Sequence, residues 1–186
     1  VAKLHFRYAS MNAGKSTQLL QVAHNYEEGG HQIRLFTAKI DDRVRPGVIA
    51  SRLGVAKDAE VFDSTTVFPD LIKHKADLAC VLIDEAQFLT PKQVQQLHFM
   101  VHDLNLPIMC FGLRTDFKGE PFPGSTFLLS LAEDVSELKA ICACGHKSTM
   151  QIRLDDEGVR VCEGESVLIG GNNLYRQVCG HCFYFT

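Results

Sequence analysis

The sequence predicts an α/β protein, a parallel sheet flanked by helices and followed by a small cysteine-rich unit. Three observations carry this. Apolar runs of strand length alternate with stretches of helical periodicity, the pattern of a parallel sheet with crossover helices. A glycine-lysine-serine turn, "YASMNAGKST" (8–17), sits between the first strand and the first helix. Five of the seven cysteines (Cys142, Cys144, Cys162, Cys179, Cys182) crowd the last quarter of the chain.

In chain order, "KLHFRY" (3–8) alternates apolar and polar residues as a strand does. A helix follows from Ser16, with Leu19, Val22, Ala23 and Tyr26 at helical spacing and Gly29-Gly30 to end it. "HQIRLFT" (31–37) is a second strand, and residues 38–60 read as loop. "DLACVLIDEAQF" (77–88) holds an apolar run ending in Asp84-Glu85, as buried central strands do. Thr90-Pro91 opens the next helix, with Thr90 as cap, Pro91 at the first helical position and Gln93 completing a capping box. Val94, Leu97, Val101 and Leu104 form its stripe. "LPIMCFGL" (106–113) is another buried strand, "STFLLSLAEDV" (125–135) a helix and "ELKAI" (137–141) a short strand. After that the texture changes, so the reading divides the chain into residues 1–140 and 141–186.

The 186 residues are 46% hydrophobic and 22% charged, normal for a globular chain large enough to bury a core without disulfides. The net charge of -3 provides no general basic field for nucleic acid. No apolar run approaches a membrane span and no signal peptide is read before the first strand, so the expectation is a cytoplasmic protein with no membrane partner. No internal repeat is visible.

The glycine-lysine-serine turn has the chemistry of a phosphate-binding loop. Backbone N–H groups from Ala9 through Thr17 (Ser10, Met11, Asn12 and Ala13 between them) would curl around phosphate, and the helix N-terminus adds partial positive charge. Gly14 permits close approach, Lys15 would reach the β- and γ-phosphates of ATP, and the Ser16 hydroxyl would ligate magnesium. Ala9 replaces the first glycine of the full pattern, which alanine tolerates if its φ stays negative. Asp84, ending a buried strand, is the carboxylate expected to orient the magnesium, and Glu85 follows it facing the transferred phosphate. Ala86 and Gln87 complete the segment, Gln87 as a packing or hydrogen-bonding neighbour.

Cys142-x-Cys144 and Cys179-x-x-Cys182 form two pairs, each able to hold one side of a tetrahedral zinc ion. Clustered cysteines in a reducing compartment suggest metal before disulfide. The first pair is tighter than the usual spacing. His146 and His181 compete as ligands, and Cys162 is spare.

"ASMNAGKST", "DEAQF", "FGLRTDFKGEPF", "CAC" and "IGGNNLYRQVCGHC" occur together and in this order. The combination closely resembles the type II thymidine kinases, a small zinc-bearing family of bacteria, vertebrates and poxviruses, from residue 4 to about 183. The resemblance implies transfer of the γ-phosphoryl group of ATP to the 5′-hydroxyl of thymidine or deoxyuridine, with ATP, magnesium and a structural zinc on the four cysteines. It also implies Glu85 as catalytic base, Phe117 stacking on the pyrimidine, Phe122 walling the same pocket and Met11 facing the base. "DDR" resembles a segment whose Asp41 and Arg43 approach the 5′-hydroxyl and phosphates. "IGGNNLY" resembles the family's substrate lasso, in which Ile169, Gly170 and Gly171 bring backbone to the base and Tyr175 contacts the sugar. Gln151 stands where many members carry a threonine near the 5-methyl group. Arg114 serves either phosphate or a structural ion pair. A homotetramer and feedback inhibition by dTTP are implied in the same way.

Two other readings suit some of these residues. A phosphate-loop ATPase with a zinc ribbon could bind nucleic acid, against which stand the acidic net charge and the lack of a basic stripe. A nucleotide switch without catalysis would not need Glu85 beside Asp84, nor the aromatic segment 117–122.

Overall fold

The computed structural model describes residues 1–39, 46–72, 77–167 and 174–186. Its centre is a six-stranded sheet in which every pairing is parallel. The strands are β1 (Leu4–Tyr8), β2 (Gln32–Ala38), β5 (Glu60–Phe62), β6 (Leu78–Ile83), β7 (Ile108–Gly112) and β8 (Asp134–Glu137), in spatial order β5-β2-β6-β7-β1-β8. Between them run the helices α1 (Lys15–Glu28), α2 (Phe68–Ile72), α3 (Pro91–Asp103) and α4 (Pro123–Leu131).

Alternation along the strands explains why helices cover both faces. Val81 and Ile83 of β6, with Ile108 and Cys110 of β7, join Val94, Leu97 and Val101 of α3 and Leu128 of α4. Their neighbours Cys80, Leu82 and Phe111 turn the other way, onto Leu19, Leu20 and Ala23 of α1. Burial of such side chains stabilises by roughly 1.5–3 kcal/mol each. The strands are thus locked with their C-terminal ends together, and both the turn after β1 and Asp84 after β6 emerge there. β7 lies between β1 and β6.

α3 starts as the sequence predicts. Thr90 accepts from the Gln93 amide at 3.1 Å, and the Gln93 side chain accepts from the Thr90 amide at 2.9 Å. Gln93 Nε2 also donates to the carbonyls of Asp63 and Thr66, tying the cap to the turn before α2. Leu104 falls at the helix end and is 43% exposed, outside the stripe.

Three expectations change. The stretch 38–60, read as loop, contains a hairpin of β3 (Val48–Ala50) and β4 (Ala56–Asp58) before the edge strand β5. Strands of three residues are too short to show a period, yet Ile49 is buried against α1. The helix read over 125–135 is α4, which ends at Leu131, and β8 begins at Asp134. Pairing of β8 with β1, reinforced by the Asp134 carboxylate on His5 and Arg7, wins over the helical spacing. The strand read over 137–141 is divided: Glu137 ends β8, whereas Ala140–Ile141 is β9 of a separate hairpin with β10 (Lys147–Ser148). α2 carried no recognised signal.

Beyond β10, β11 (Met150–Leu154) pairs antiparallel with β12 (Arg160–Val161) and β13 (Tyr175–Val178), and α5 (Gly180–Phe185) follows. Cys142, Ile152, Val178, Cys179 and Phe183 form a small core of their own. Among the described residues no helix is long and apolar enough to cross a membrane.

Candidate active site and cysteine cluster

The turn between β1 and α1 opens a cleft of about 630 Å³. One wall is the loop from Met11 to Thr17; Glu85 and Leu113 border it, and Ser51 and Arg52 of the β3–β4 turn face it. Gly14, the residue before α1, has φ 88, a left-handed conformation that glycine adopts without a Cβ penalty. Asn12 is also left-handed at φ 64, whereas Ala9 is not, so the missing first glycine costs nothing here. No side chain caps α1 and no acidic residue occupies its first turn. Its first N–H groups and positive dipole end therefore face the cleft, the arrangement that suits an anion. Lys15 Nζ donates to the Ser10 carbonyl at 3.0 Å, which folds the lysine back over the loop.

Ser16 Oγ donates to Asp84 Oδ2 at 2.9 Å, joining the loop to the end of β6. Asp84 is 2% exposed, and burial, with the neighbouring Glu85 charge, pushes its carboxyl up to about 7. A half-buried hydroxyl paired with a buried carboxylate beside an anion site is a suitable donor set for magnesium, a hard cation bound by few protein oxygens plus phosphate.

Glu85 follows with φ 51 and ψ 41, left-handed for a non-glycine residue, at the start of a 3₁₀ turn over Ala86–Phe88. This backbone turns its side chain away from the strand direction and into the cleft. Ala86 is fully buried behind it. Gln87, 3% exposed, donates from Nε2 to Glu85 Oε2 at 2.5 Å and accepts the Leu113 amide on Oε1 at 3.2 Å. Gly112 makes room for this: a Cβ there would lie 2.8 Å from Gln87 Oε1 and 2.9 Å from its backbone nitrogen.

Of the residues assigned to the base pocket, Phe117, Phe122, Gln151 and Tyr175 lie outside the lining of this cleft. Phe117 is 2% exposed, and the Arg153 guanidinium lies 3.6 Å from its ring centroid. Arg153 also lies 5.6 Å from the Tyr175 ring and donates to the Glu165 carbonyl. Gln151 is buried, with its amide donating to the Thr115 carbonyl. Phe122 precedes α4 and packs edge-on against Phe88 at 5.7 Å. Arg114, read as a phosphate or ion-pair residue, stacks 4.6 Å over the Tyr8 ring. None of these lines the cleft itself, whereas Met11, also assigned to the base, does. Asp41, Arg43, Ile169, Gly170 and Gly171 lie outside the described residues.

Sequence reasoning missed Ser148, Ser51 and Arg52, and it gave Arg153, though near the substrate region, no role. Ser148 of β10 meets Ser10 of the loop, Oγ to Oγ, at 3.0 Å and donates to the Val178 carbonyl at 3.2 Å, so the C-terminal unit grips the loop directly. Ser51 and Arg52 were hidden in a stretch taken for loop. Arg153 organises Phe117 and Tyr175. A lone buried serine or arginine leaves no pattern in sequence, because its partner is distant in the chain.

The sulfurs of Cys142, Cys144, Cys179 and Cys182 all lie within 4.8 Å of one another, and none is in a disulfide. Cys144 Sγ and Cys179 Sγ are 3.5 Å apart. A tetrahedral zinc with bonds of about 2.3 Å separates its sulfurs by about 3.8 Å, so the donors fit. Backbone amides of Cys144 and Cys179 hold the Cys142 thiol down to about 6, while the other cysteine sulfurs push Cys182 up to about 12. Crowded thiols that compete to ionise are what a soft dication relieves. Of the competing ligands, His146 Nδ1 stands 3.4 Å from Cys144 Sγ, outside the four-sulfur set, and His181 packs on Phe185. Cys162 is exposed and apart.

A family model described as thymidine kinase matches residues 2–183. The thymidine kinase of Chromobacterium violaceum is 57% identical over 99% of both chains. That of Albidiferax ferrireducens is 53% identical over 99% of this chain and 93% of its own, and that of Aliivibrio fischeri 52% identical over 96% and 95%. An anion-ready helix end, a hydroxyl–carboxylate pair at a strand end and a four-thiolate cluster thus lie within one match that spans nearly the whole sequence, and the chain belongs to the thymidine kinase family.

Proposed function

We propose that this chain transfers the γ-phosphoryl group of ATP to the 5′-hydroxyl of thymidine or deoxyuridine, giving the monophosphate and ADP. The observation that carries the reading is the convergence at one cleft of the uncapped α1 N-terminus, the Ser16–Asp84 pair and Glu85. The relatives named for this activity match over the full length.

Phosphoryl transfer needs mostly positioning and charge neutralisation. The amides from Ala9 to Thr17 and Lys15 hold the phosphates of ATP. Ser16 and Asp84 hold magnesium, which when bound neutralises phosphate charge. Glu85 accepts the proton of the attacking hydroxyl, held on line by Gln87 and the left-handed backbone at its own position. On the nucleoside side, Met11, Phe117 and Phe122 border the base, and Gln151 and Tyr175 support that pocket. Asp41, Arg43, Ile169, Gly170 and Gly171 take the roles the family resemblance implies.

Residues 141–186 act as a second unit whose zinc on Cys142, Cys144, Cys179 and Cys182 fixes the ends of the substrate-covering segment. The Ser10–Ser148 contact supports a direct link between that unit and the phosphate loop. By the same resemblance the protein is a cytoplasmic homotetramer inhibited by dTTP. An unchanged rate with saturating dTTP at low thymidine would remove the inhibitor from this reading, and light scattering of the eluted protein reads the assembly.

The test mixes protein, ATP, magnesium and labelled thymidine. Thymidine monophosphate is the expected product. ATP hydrolysis stimulated by DNA, without that product, would favour the nucleic-acid reading instead.

A further inference from the structure

Far from both sites, α3 presents His98 and His102 four positions apart and therefore on one face. Glu133, in the link between α4 and β8, reaches them. Its Oε1 lies 3.0 Å from His98 Nε2 and 2.7 Å from His102 Nε2, and the two Nε2 atoms are 3.3 Å apart. The three donor atoms thus form a small triangle. Three ligands of a tetrahedral ion with bonds of about 2.0–2.1 Å are separated by about 3.3 Å, so only the two edges to the carboxylate must open slightly.

From this geometry we propose that His98, His102 and Glu133 form a second metal site, for a borderline divalent ion such as zinc, nickel or cobalt.

The carboxylate is held ready. Glu133 Oε2 accepts the Leu4 amide at 2.7 Å, which fixes the group and leaves Oε1 for the imidazoles. Such an anchored carboxylate is what orients a metal ligand. The neighbouring Asp134 is committed elsewhere, to His5 Nδ1 at 2.8 Å and Arg7 Nη2 at 2.8 Å, so it does not compete. The His102 and His98 rings meet edge to face with centroids 4.8 Å apart, and both Nε2 atoms stand within hydrogen-bond distance of the one carboxylate oxygen. Side-chain exposures of 32%, 47% and 30% leave the point open to solvent, so an ion enters with only that slight opening and its remaining positions take water. Each imidazole offers its Nε2 lone pair once its proton resides on Nδ1. Two imidazoles and one carboxylate select against magnesium and calcium, which prefer oxygen alone. A bound ion would clamp α3 to the start of β8 and, through Leu4, to β1. The site differs from the four-cysteine cluster in ligand chemistry and from the cleft in position.

The experiment uses the zinc-loaded protein. Equilibrium dialysis against zinc or nickel, with metal analysis, is expected to find one ion per chain beyond that of the cysteines. Glu133→Gln, which keeps an acceptor for the Leu4 amide, and His102→Asn should each weaken that ion by at least about tenfold. Thymidine phosphorylation and the cysteine-bound zinc should be unchanged in both variants. Cobalt at the second site should absorb without a thiolate charge-transfer band. Nickel should raise the unfolding midpoint of the parent and not of the variants, whereas any effect of millimolar magnesium should be the same in parent and variants. Binding of one ion only, or a second ion that survives both substitutions, would reduce the cluster to two imidazoles sharing a carboxylate and overturn the proposal.

Discussion

Ser16 and Asp84 stand 68 positions apart in sequence, yet the serine hydroxyl donates to the aspartate at 2.9 Å. This bond joins the start of α1 to the end of β6 across the intervening strand β7. It forms because the parallel strands β1, β7 and β6 are fixed in register with their C-terminal ends together. The hydroxyl and the carboxylate are thereby held together beside the helix end.

Asp84 carries a cost that its removal should reveal. Burial and the Glu85 charge raise its carboxyl from the ordinary carboxylate range to about 7. A raised acid disfavours the folded state when ionised, so the penalty is absent at low pH and grows as pH rises from about 4 to about 7. Asp84→Asn should therefore unfold at a higher temperature than the parent at pH 8 in the absence of nucleotide and magnesium, with the difference vanishing near pH 4. The same substitution should abolish magnesium-dependent turnover. Calorimetry that finds the variant less stable at pH 8 would contradict the assignment of cost.

Gln87 is read as the residue that aims Glu85. Gln87→Ala should lower kcat about 10- to 100-fold with little change in the KM for ATP, because it loosens the base without touching the phosphates. Gly112→Ala should act likewise, since its Cβ would press on Gln87 at 2.8–2.9 Å. Steady-state kinetics of both variants, with KM and kcat separated, check this. A pure KM effect would assign Gln87 to binding.

Thiol labelling tests the cysteine assignments together. Cys80 is fully buried and pushed up to about 11 by that burial, and Cys110 is raised further for the same reason. Neither should alkylate at pH 8 in the folded, zinc-loaded protein, where Cys162 alone should react. Chelation should add Cys142, Cys144, Cys179 and Cys182 to the labelled set and weaken thymidine binding. Mass spectrometry of the labelled peptides reads each position. Labelling of the four before chelation would deny them a shared ion.

Thr90→Ala removes the hydroxyl that caps α3 and should cost about 1 kcal/mol of stability, read by denaturant unfolding. Kinetics should be unchanged, because α3 lines no part of the cleft. The prediction separates helix capping from catalysis on one element.

The legible parts of the fold share one property: their information is local. The turn at Gly14-Lys15-Ser16, the Thr90-Pro91-Gln93 cap and the apolar run into Asp84 each declare themselves within a few residues, and the structure reproduces them. The paired cysteines are similar, two short motifs whose partner is easily guessed. What escaped was non-local. Asp134 and Val135 continue the helical spacing of α4, yet they pair with β1, because a sheet edge offers hydrogen bonds that sequence periodicity cannot register. Ser148 and Arg153 gain their roles from Ser10 and Phe117, distant in the chain. Strands of three residues, such as β3 and β4, carry too few alternations to be read at all.

The central claim is that Glu85, set by its left-handed backbone at the mouth of the cleft, accepts the proton of the thymidine hydroxyl. The most direct measurement is single-turnover phosphorylation of thymidine by Glu85→Gln, alongside thymidine and ATP binding by calorimetry. The account predicts a rate lower by about 10²–10⁴-fold with both affinities within a few-fold of the parent. Undiminished turnover in the variant would contradict it and move the proton to another acceptor.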